Sequence, residues 1–544
     1  MPSSARNELN PGELKHSLSD PAAYPHPVEG PVTFRETHIS LIVLAGPYAY
    51  KIKKACVTDF LDYGTLAARQ AACELELRLN RRYAPDLYLS VVPIHRVGSG
   101  LCVGSGLSVA GSHRVGSGEG QRQEPAKEQG QEQGEVVEYA VQMHRFPDDA
   151  LLKERLRQGR LAGGEIRQLA QTVADFHAAA AKANAGLPSP DAPWGSPPRA
   201  GGNALANFKV LRNAPLADFE PRLSALEQWT RDFLEAEAAQ FWQRIAEGRI
   251  RECHGDLHLE NVIQWHDRLL PFDGIEFNES FRWIDVLSDA AFLAMDFAAC
   301  ERFDLSHRFT NDYLELSGDR EALQLWRWYL VYRALVRAKV AAMRADQPGL
   351  TEQERATMID DCRAHIALAE RFTRPEPRCL WITHGLSGSG KTTGSEWVVE
   401  RCGAIRLRSD VERKRGLGLA PTERPDRQQA AEMYGEAGRQ TIYDQLHRLA
   451  RGVLRGGYSV VVDATFLMAD QRQRFAELAK QEGVRFAILD FPADAATLRQ
   501  RVAERQAAGD DASDAGLEVL EQQFANEEPL SAAERQRIET LPDL

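Results

Sequence analysis

The sequence predicts two domains in succession, an α+β domain followed by an α/β domain with a parallel sheet. Its 544 residues are too many for a single hydrophobic core. Strand patterns precede long helical patterns up to about residue 371, which is the order of an α+β domain. Beyond residue 377, strand and helix patterns alternate, which is typical of parallel strands joined by helices.

The composition is that of an ordinary soluble protein, with 43% hydrophobic and 26% charged residues. The net charge of −12 provides no overall attraction for nucleic acid. The eight cysteines form no C-x-x-C pair, which indicates reduced thiols in a cytoplasm. No apolar run reaches the length of a membrane span, and residues 1–31 lack the apolar core of a signal peptide. We therefore expect a cytoplasmic protein without a membrane partner.

The first domain is predicted to begin with strands. Residues 1–30 are polar and proline-rich and are expected to form a disordered leader. Residues 38–53 contain two apolar runs around Gly46-Pro47, which predicts a β-hairpin. A helix is predicted over residues 66–82, and further strands over residues 87–94 and 136–143.

A low-complexity stretch separates the last two of these strands. The hexapeptide that begins at His95 recurs identically at residues 113–118, and a tract rich in Gln, Glu and Gly follows to Gly134. Two copies are too few for a repeat solenoid. We predict a flexible insertion over residues 97–134, within a domain that spans residues 31–372.

The remainder of the first domain is predicted to be helical. A loop rich in Pro, Gly and Ala over residues 186–203 interrupts the helical patterns, and residues 373–377 form a plausible linker to the next domain. The helical patterns cover residues 163–182, 223–247, 284–343 and 352–371.

Three polar residues in this part have the spacing of a phosphoryl-transfer site. Asp256 follows His254-Gly255, Asn261 lies five residues after Asp256, and Asp273 lies twelve residues after Asn261. On a kinase-like scaffold, one Asp accepts the proton of the substrate hydroxyl, while an Asn and a second Asp hold Mg²⁺. This part of the chain therefore carries the groups that such a site requires.

Residues 38 to about 371 resemble the aminoglycoside-phosphotransferase and choline-kinase-like family, whose H-G-D-x-x-x-x-N motif they match. The resemblance implies a bilobal, protein-kinase-like α+β fold with a β-rich lobe for ATP and a helical lobe. It also implies Asp256 as the catalytic base and Asn261 with Asp273 as the Mg²⁺ ligands.

The same resemblance implies a lysine that binds the phosphates of ATP. Lys51 fits this role. Lys53 lies on the same face of the strand and therefore remains an alternative candidate. Glu76 or Glu74 of the following helix would pair with that lysine. Residues 142–147 occupy the place of the hinge that contacts adenine.

Three features of the first domain leave alternatives open. Asp285 and Asp289 share a helix face, and they either orient the catalytic loop or are surface charges. His254 and His258 form only a weak metal-binding pattern. The hairpin turn offers residues 45–47 in place of the G-x-G-x-x-G loop of protein kinases, which indicates a loose phosphate cover.

The second domain, residues 376–544, opens with a phosphate-binding loop. Residues 385–392 match G-x-x-x-x-G-K-[ST] at every fixed position, after a predicted strand and before a predicted helix. The backbone N–H groups would cradle phosphates, Lys391 would reach the β- and γ-phosphates and assist catalysis, and Thr392 would ligate Mg²⁺. The residues expected to bind nucleotide are Gly385, Gly388, Gly390, Lys391, Thr392 and Thr393.

Alternating strand and helix patterns follow the loop, with strands predicted over residues 404–408, 459–463 and 485–490. Residues 379–544, which include this loop, resemble the P-loop kinases that include polynucleotide 5′-kinase, gluconate kinase and zeta-toxin-like enzymes. The resemblance therefore implies an α/β P-loop fold that uses ATP and Mg²⁺.

The resemblance also implies roles for five polar residues. Asp410 would take a proton from the acceptor hydroxyl, and Arg413 would contact the acceptor. Asp463 ends an apolar strand at a Walker-B-like or acceptor-binding position. Arg501 and Arg505 share a helix face and would act on phosphate charge as a catalytic lid, the alternative being a solvated helix surface.

Together these expectations describe a bifunctional ATP- and Mg²⁺-dependent phosphotransferase that acts on a hydroxyl group. The acceptor is a small molecule or, for the second domain, a nucleic-acid 5′ end, and the sequence does not select between them. The alternative is a nucleotide-sensing regulatory protein with a non-catalytic first domain and an active P-loop domain. A third interpretation is nucleic-acid end repair by the second domain, which a clustered basic groove would support.

Overall fold

The computed structural model confirms the predicted order of an α+β domain followed by an α/β domain with a parallel sheet. It describes residues 11–58, 61–104, 134–184, 187–189, 191–214, 219–420, 423–426, 429, 435–508 and 515–541.

The first domain contains an antiparallel six-stranded sheet in the order β1-β2-β3-β8-β6-β7. A separate short hairpin, β4–β5, precedes the helix α2, Leu66–Asn80. The strands are β1 Thr33–Glu36, β2 Ser40–Ala45, β3 Tyr48–Lys53, β4 Val57–Thr58, β5 Leu61–Asp62, β6 Tyr88–Val97, β7 Gly100–Val103 and β8 Glu135–His144.

The hairpin predicted around Gly46-Pro47 is present as β2 and β3, with Ala45 paired to Tyr48. Side chains alternate along β3, so that Tyr50 and Ile52 pack on one face of the sheet. Lys51 and Lys53 point to the opposite face, which α2 covers. This alternation decides which face of the sheet can hold a polar site.

The expectation of a disordered leader over residues 1–30 is wrong from Pro11 onward. The chain forms the helix α1, Pro11–Leu18, and then a short 3₁₀ turn. Leu14, Leu18 and Tyr24 are buried against the outer face of the six-stranded sheet. A few apolar side chains are enough to hold this otherwise polar segment on the domain, because the sheet supplies most of the apolar surface that becomes buried. Residues 1–10 lie outside the described part of the chain.

The predicted flexible insertion is also partly ordered. Residues 97–104 complete β6 and form β7, with Val97 paired to Gly100. Gly98, in the turn between them, has φ +59°, a left-handed conformation that glycine adopts at little cost. The first copy of the repeated hexapeptide is therefore the tip of a hairpin, whereas the second copy lies outside the described residues.

The helical lobe follows β8. Its helices are α3 Leu152–Arg157, α4 Gly163–Ala179, α5 Pro197–Asn213, α6 Glu220–Ala236, α7 Ala238–Ala246, α8 Glu279–Arg282, α9 Val286–Ala299, α10 Phe303–Ser317, α11 Leu323–Ala345 and α12 Glu352–Thr373. Two short antiparallel pairs join them, formed by β9 Ile250–Glu252 with β12 Trp283–Asp285 and by β10 Val262–Trp265 with β11 Arg268–Pro271.

One loop prediction in this lobe is wrong. The stretch 186–203 was expected to be a loop because of its Pro, Gly and Ala content, but α5 begins at Pro197. Proline at the first helical positions lacks only an N–H that would stay unpaired in any case. Gly201 packs against Leu234 of α6, where a Cβ would come within 2.8 Å of that side chain. The glycine that weakens the helix pattern thus permits the close approach of the two helices.

The second domain is a four-stranded parallel sheet in the order β14-β15-β13-β16, as predicted. The strands are β13 Cys379–His384, β14 Ile405–Arg408, β15 Val460–Asp463 and β16 Arg485–Asp490. The helices are α13 Lys391–Cys402, α14 Ser409–Gly416, α15 Glu436–Arg455, α16 Ala469–Gln481, α17 Ala495–Ala508, α18 Leu517–Asn526 and α19 Ala532–Arg535.

One hydrophobic core continues from the helical lobe into the second domain. Phe309 of α10 and Trp326 of α11 belong to the same buried cluster as Ile405 of β14 and Leu446 of α15. The two domains are therefore packed together through apolar surface, with α10 at the seam. Within the described residues, no helix combines the length and the apolar character that crossing a bilayer requires.

The burial of α1 gives a stability prediction. Leu18→Ala should destabilise the first domain by about 2–5 kcal/mol, because Leu18 is 1% exposed and its truncation leaves a cavity on the sheet. The measurement is the shift of the first urea-unfolding transition of the full chain. Leu187→Ala, at a side chain that is 50% exposed, is the matched control and should shift it much less. Equal small shifts would contradict the packing of α1.

Candidate active sites

The first site lies between the inner face of the six-stranded sheet and the helical lobe. Lys51 Nζ lies 2.9 Å from Glu76 Oε1 and also pairs with Asp273. Lys53 pairs with the other oxygen of Glu76 and with Glu276, so the two lysines share one fully buried carboxylate. Lys51 is thus the lysine that reaches Asp273, the residue predicted from the motif.

Helical phase decides between the two candidate glutamates. Glu76 faces the sheet and is buried, whereas Glu74 is exposed and accepts a hydrogen bond from Gln70. Burial alone would lower the pKa of Lys51, but Asp273 and Glu76 raise it well above the ordinary lysine value. Lys51 therefore stays charged at neutral pH.

Asp256 and Asn261 form one hydrogen-bonded unit. Asn261 Nδ2 donates to the Asp256 carbonyl at 3.0 Å and to its carboxylate at 3.1 Å. The amide oxygen of Asn261 is then the atom that a cation would use. Burial alone would raise the pKa of Asp256, but His258, His254 and Arg337 lower it below its ordinary value. Asp256 is therefore held as a carboxylate.

The β10–β11 hairpin brings Asp273 to this unit. Phe272 N donates to the carbonyl of Asn261 at 2.9 Å, and Asp273 N donates to Tyr88 Oη at 3.0 Å. Asp273 has φ +63°, which is uncommon for a residue with a side chain and is fixed here by its neighbours on both sides. Its carboxylate and the amide oxygen of Asn261 are the hard oxygen donors that Mg²⁺ prefers, so these residues fit that ion.

The structure resolves the alternatives for Asp289 and Asp285, because both side chains are buried. Asp289 accepts hydrogen bonds from the backbone N–H of His254 at 3.0 Å and of Gly255 at 2.9 Å, so it orients the loop that carries Asp256. Asp285 caps α9 and pairs with Arg244, whose Nε lies 2.8 Å away.

Sequence reasoning missed His177, which supports Asp289 from α4. His177 Nε2 lies 3.0 Å from Asp289, and Nδ1 lies 2.9 Å from Tyr313 Oη of α10. A single histidine in a helical pattern gives no local signal of such a role. The two motif histidines also have separate partners, since His254 Nε2 lies 2.8 Å from the Phe272 carbonyl and His258 Nε2 lies 3.3 Å from Asp256. These bonds explain both histidines without a metal.

The second site is built on the predicted loop between β13 and α13. Its glycines Gly385, Gly388 and Gly390 have φ of +144°, +83° and +93°, a region that side chains rarely adopt. A Cβ at Gly385 would also come within 2.9 Å of the Phe491 carbonyl. The loop conformation therefore depends on the glycines that define the motif.

The atoms of this loop fit a phosphate group. Lys391 Nζ donates to the carbonyl of Leu386 at 2.6 Å, inside its own loop. Burial lowers the pKa of Lys391 to about 8, against the opposing effect of Asp463 and Asp410. Ser389 Oγ is buried without a hydrogen-bond partner among the described residues. A phosphate oxygen would satisfy both groups.

The other predicted residues line one pocket of about 320 Å³ in front of the loop. They are Thr392, Thr393, Asp410, Arg413, Asp463, Arg501 and Arg505. Ser395 Oγ lies 3.1 Å from Asp463 and 2.9 Å from the Thr392 carbonyl, so Asp463 stands next to the threonine of the motif. Arg413 Nη1 lies 3.3 Å from Asp410.

Arg501 and Arg505 donate to carbonyl groups of the pocket lining, and neither has a carboxylate partner among the described residues. Arg501 Nη1 donates to the Gly388 carbonyl at 3.3 Å, and Arg505 Nη2 donates to the Ala515 carbonyl at 2.9 Å. Glu504, the pairing partner that a solvated helix would use, accepts instead from Gln500.

Gln523 of α18 is a residue of this site that the sequence did not reveal. Its Oε1 accepts from the backbone N–H of Ser387 at 2.8 Å, and its Nε2 donates to Ser387 Oγ at 3.0 Å. It therefore forms two hydrogen bonds to the phosphate-binding loop from a position 136 residues away in sequence. No local pattern marks a glutamine for such a contact.

The helix α10 joins this site to the first domain. Arg406 of β14 donates its backbone N–H to Asn311 Oδ1 at 2.8 Å, and its guanidinium to the Thr392 carbonyl at 3.4 Å. Glu315 of α10 is fully buried 3.9 Å from both Arg406 and Arg408. Burial alone would raise the pKa of Glu315, but the surrounding arginines lower it to about 2.

Comparison with known proteins gives matches to each part of the chain. Residues 380–530 match the family model described as AAA domain. An uncharacterized protein of Mycobacterium tuberculosis is 28% identical over 492 residues, which cover 90% of this chain and 89% of the relative.

Solved structures are similar to one part or the other. A choline/ethanolamine kinase family protein from Mesorhizobium loti covers 63% of this chain and 94% of its own, with 12% identity and a TM-score of 0.34. A gluconokinase from Sinorhizobium meliloti covers 30% of this chain and 82% of its own, with 21% identity and a TM-score of 0.21. The family match thus covers the second domain, and the similarity to the mycobacterial protein extends over both.

Proposed function

We propose that this chain is a bifunctional ATP-dependent phosphotransferase that moves the γ-phosphoryl group of ATP to acceptor hydroxyl groups at two sites. The observation that supports it most strongly is the second-site pocket. It gathers a buried lysine, two carboxylates and several arginines in front of a phosphate-binding loop. Such a set can bind a nucleotide, deprotonate a hydroxyl and balance the charge of the transferred group.

At the second site, the loop N–H groups and Lys391 hold the nucleotide phosphates. Asp410 takes the proton of the acceptor hydroxyl while the oxygen of that hydroxyl forms a bond to the γ-phosphorus. The bond between the γ-phosphorus and the β–γ bridging oxygen breaks, and ADP leaves. Arg413, which lies against Asp410, orients the acceptor.

The other residues of this pocket act on the phosphate side. Arg501 and Arg505 stabilise the negative charge of the phosphoryl group during its transfer. Thr392 and the neighbouring Asp463 would hold Mg²⁺, whose role is to neutralise phosphate charge.

At the first site, Lys51 binds phosphate oxygens and Glu76 fixes the lysine in place. Asp256 is the base for the acceptor hydroxyl, and its depressed pKa keeps it unprotonated at neutral pH. Asn261 and Asp273 would hold Mg²⁺ there.

A second candidate is a nucleotide-sensing protein in which only the P-loop site turns over. The arrangement of Lys51 favours it, since that lysine already contacts both Glu76 and Asp273. The short turn at residues 45–47 favours it too, because it provides no glycine-rich phosphate cover. In that case Asp256→Asn would leave all phosphate transfer unchanged.

The experiment that separates the two is phosphate transfer from γ-labelled ATP by the full chain. The acceptors are pooled hydroxyl metabolites and 5′-hydroxyl oligonucleotides, so that small-molecule and nucleic-acid acceptors are distinguished. Lys391→Ala and Asp256→Asn, alone and together, assign each labelled product to a site. Bifunctional transfer requires that each single variant lose a different product.

For the second site we expect Asp410→Asn to lower kcat by about 10²–10⁴-fold, because the amide keeps the shape but cannot accept a proton. Nucleotide affinity should change little, since Asp410 acts on the acceptor. Asp470→Asn, at an exposed carboxylate outside the pocket, is the control. Normal turnover by Asp410→Asn would reject its role as base.

The lowered pKa of Lys391 predicts that the affinity of the second site for ATP depends on pH. In the free protein Lys391 loses its proton as the pH rises through about 8, whereas bound phosphates would favour the charged form. Affinity of the second site for ATP should therefore fall above about pH 8, and binding at pH 8.5 should take up a proton. Calorimetry in buffers of different ionisation enthalpy measures that uptake.

Lys391→Arg provides the control for this measurement, because arginine stays protonated across this range. The variant should bind ATP at pH 8.5 with less proton uptake than the wild-type chain. The same uptake in both proteins would show that another group carries the proton.

A further inference from the structure

We infer that a cavity at the junction of the two domains binds a small phosphate-bearing anion, at a place separate from both candidate sites. The cavity has a volume of about 110 Å³. Phe303 and Arg327 line it from the first domain, and Arg378 and Tyr458 line it from the second. Its lining shares no residue with the pocket in front of the phosphate-binding loop.

The charged lining of this junction cavity is basic. Glu376 contributes the single carboxylate of the lining, whereas four arginines contribute positive charge, namely Arg327, Arg371, Arg374 and Arg378. His307 also lines the cavity, but burial lowers its pKa, so it is neutral at neutral pH. Such a local excess of positive charge, in a chain whose net charge is −12, attracts anions.

None of these four arginines forms an ion pair with a carboxylate in the described part of the chain. Arg327 Nη2 donates to the Gly457 carbonyl at 3.3 Å, and Arg378 donates to the Leu454 carbonyl. Three carboxylates close in sequence to the lining are paired with other arginines, Asp304 with Arg302, Glu370 with Arg222 and Glu400 with Arg308. The positive charge of the cavity is therefore not balanced by its neighbours.

Aromatic rings position two of the guanidinium groups. The guanidinium carbon of Arg371 lies 3.8 Å from the centre of the Phe303 ring, and that of Arg327 lies 5.6 Å from the centre of the Tyr458 ring. A ring covers only the face of a guanidinium, so N–H groups at its edge can still donate to a ligand. Because these side chains are held before a ligand arrives, binding costs less conformational entropy.

The excess of positive charge favours phosphate over a single carboxylate. A carboxylate carries one negative charge, whereas a phosphate monoester carries about 1.5–2 at neutral pH and offers three strong acceptor oxygens. Guanidinium groups bind phosphate through paired, charge-assisted hydrogen bonds. The cavity volume leaves room for a phosphate group with a small substituent. The ligand class is therefore inorganic phosphate or a small phosphate monoester.

A phosphate bound here would connect the two domains. Arg327 belongs to α11, Arg371 to the last turn of α12, and Arg378 lies immediately before β13. A ligand that these arginines share is lost when the domains separate, so it stabilises their joined arrangement by mass action.

The test is calorimetric titration of the full chain with inorganic phosphate and, separately, with glycerol 3-phosphate, at constant ionic strength. Saturating AMP-PNP and Mg²⁺ are present so that phosphate does not compete at the nucleotide sites. We expect at least one probe to bind saturably, and the comparison shows whether free phosphate or a monoester is preferred. The double variant Arg371→Gln with Arg374→Gln should weaken that binding by about tenfold or more, because charge-assisted contacts are lost.

Arg344→Gln is the matched control, since Arg344 is an exposed arginine of α11 outside the cavity lining, and it should leave phosphate binding unchanged. Weaker binding in the double variant but not in this control assigns the bound phosphate to the cavity, whether or not nucleotide is bound elsewhere. Arg327→Gln, at an arginine of α11 inside the cavity, should weaken binding as well and serves if the double variant does not fold.

Absence of saturable binding of both probes to the wild-type chain would overturn the inference. Binding by the folded cavity variants that equals binding by the wild-type chain would overturn it too, because the phosphate would then lie elsewhere.

Discussion

The buried carboxylate of Glu315 is the interaction on which the relation between the two domains depends. It is supplied by α10 of the first domain and lies within 3.9 Å of three arginines, of which Arg406 and Arg408 belong to the second domain. A buried charge that loses its partners is strongly destabilising. Separation of the domains would therefore break this cluster as well as the apolar core that surrounds it. The second domain is held in one position as a result.

The same helix supports both candidate sites. Toward the second site, Arg406 links Asn311 and Glu315 to the Thr392 carbonyl of the phosphate-binding loop. Toward the first site, Tyr313 contacts His177, which contacts Asp289, which in turn accepts from the backbone of the loop that carries Asp256. The two sites thus share one supporting helix, and the residues that connect it to them, Asn311, Tyr313 and Glu315, lie within about one turn of that helix.

Local sequence patterns predicted the parts of the structure that local geometry determines. The glycines of the phosphate-binding loop could be assigned because residues with side chains rarely adopt their backbone angles. The β2–β3 hairpin could be assigned because its turn and its alternating residues are contiguous in sequence. The spacing of Asp256, Asn261 and Asp273 predicted a common site because a short loop and one hairpin join them.

The remainder depends on contacts between distant segments. His177, Glu315 and Gln523 each act through a partner far away in sequence, so no spacing rule could mark them. The packing of α1 could not be predicted from the composition of residues 1–30, because the six-stranded sheet contributes most of the apolar surface that α1 packs against. The choice of Glu76 over Glu74 required the phase of α2, which the sequence pattern left open.

The most direct test of the two-site account is the number of nucleotides that one chain binds. Calorimetric titration of the full chain with AMP-PNP and Mg²⁺ should give two molecules per chain, falling to one in Lys391→Ala and to one in Asp273→Ala. Asp267→Ala, at an exposed position in the turn between β10 and β11, should keep both. A single molecule bound by the wild-type chain and lost entirely in Lys391→Ala would contradict a nucleotide site in the first domain.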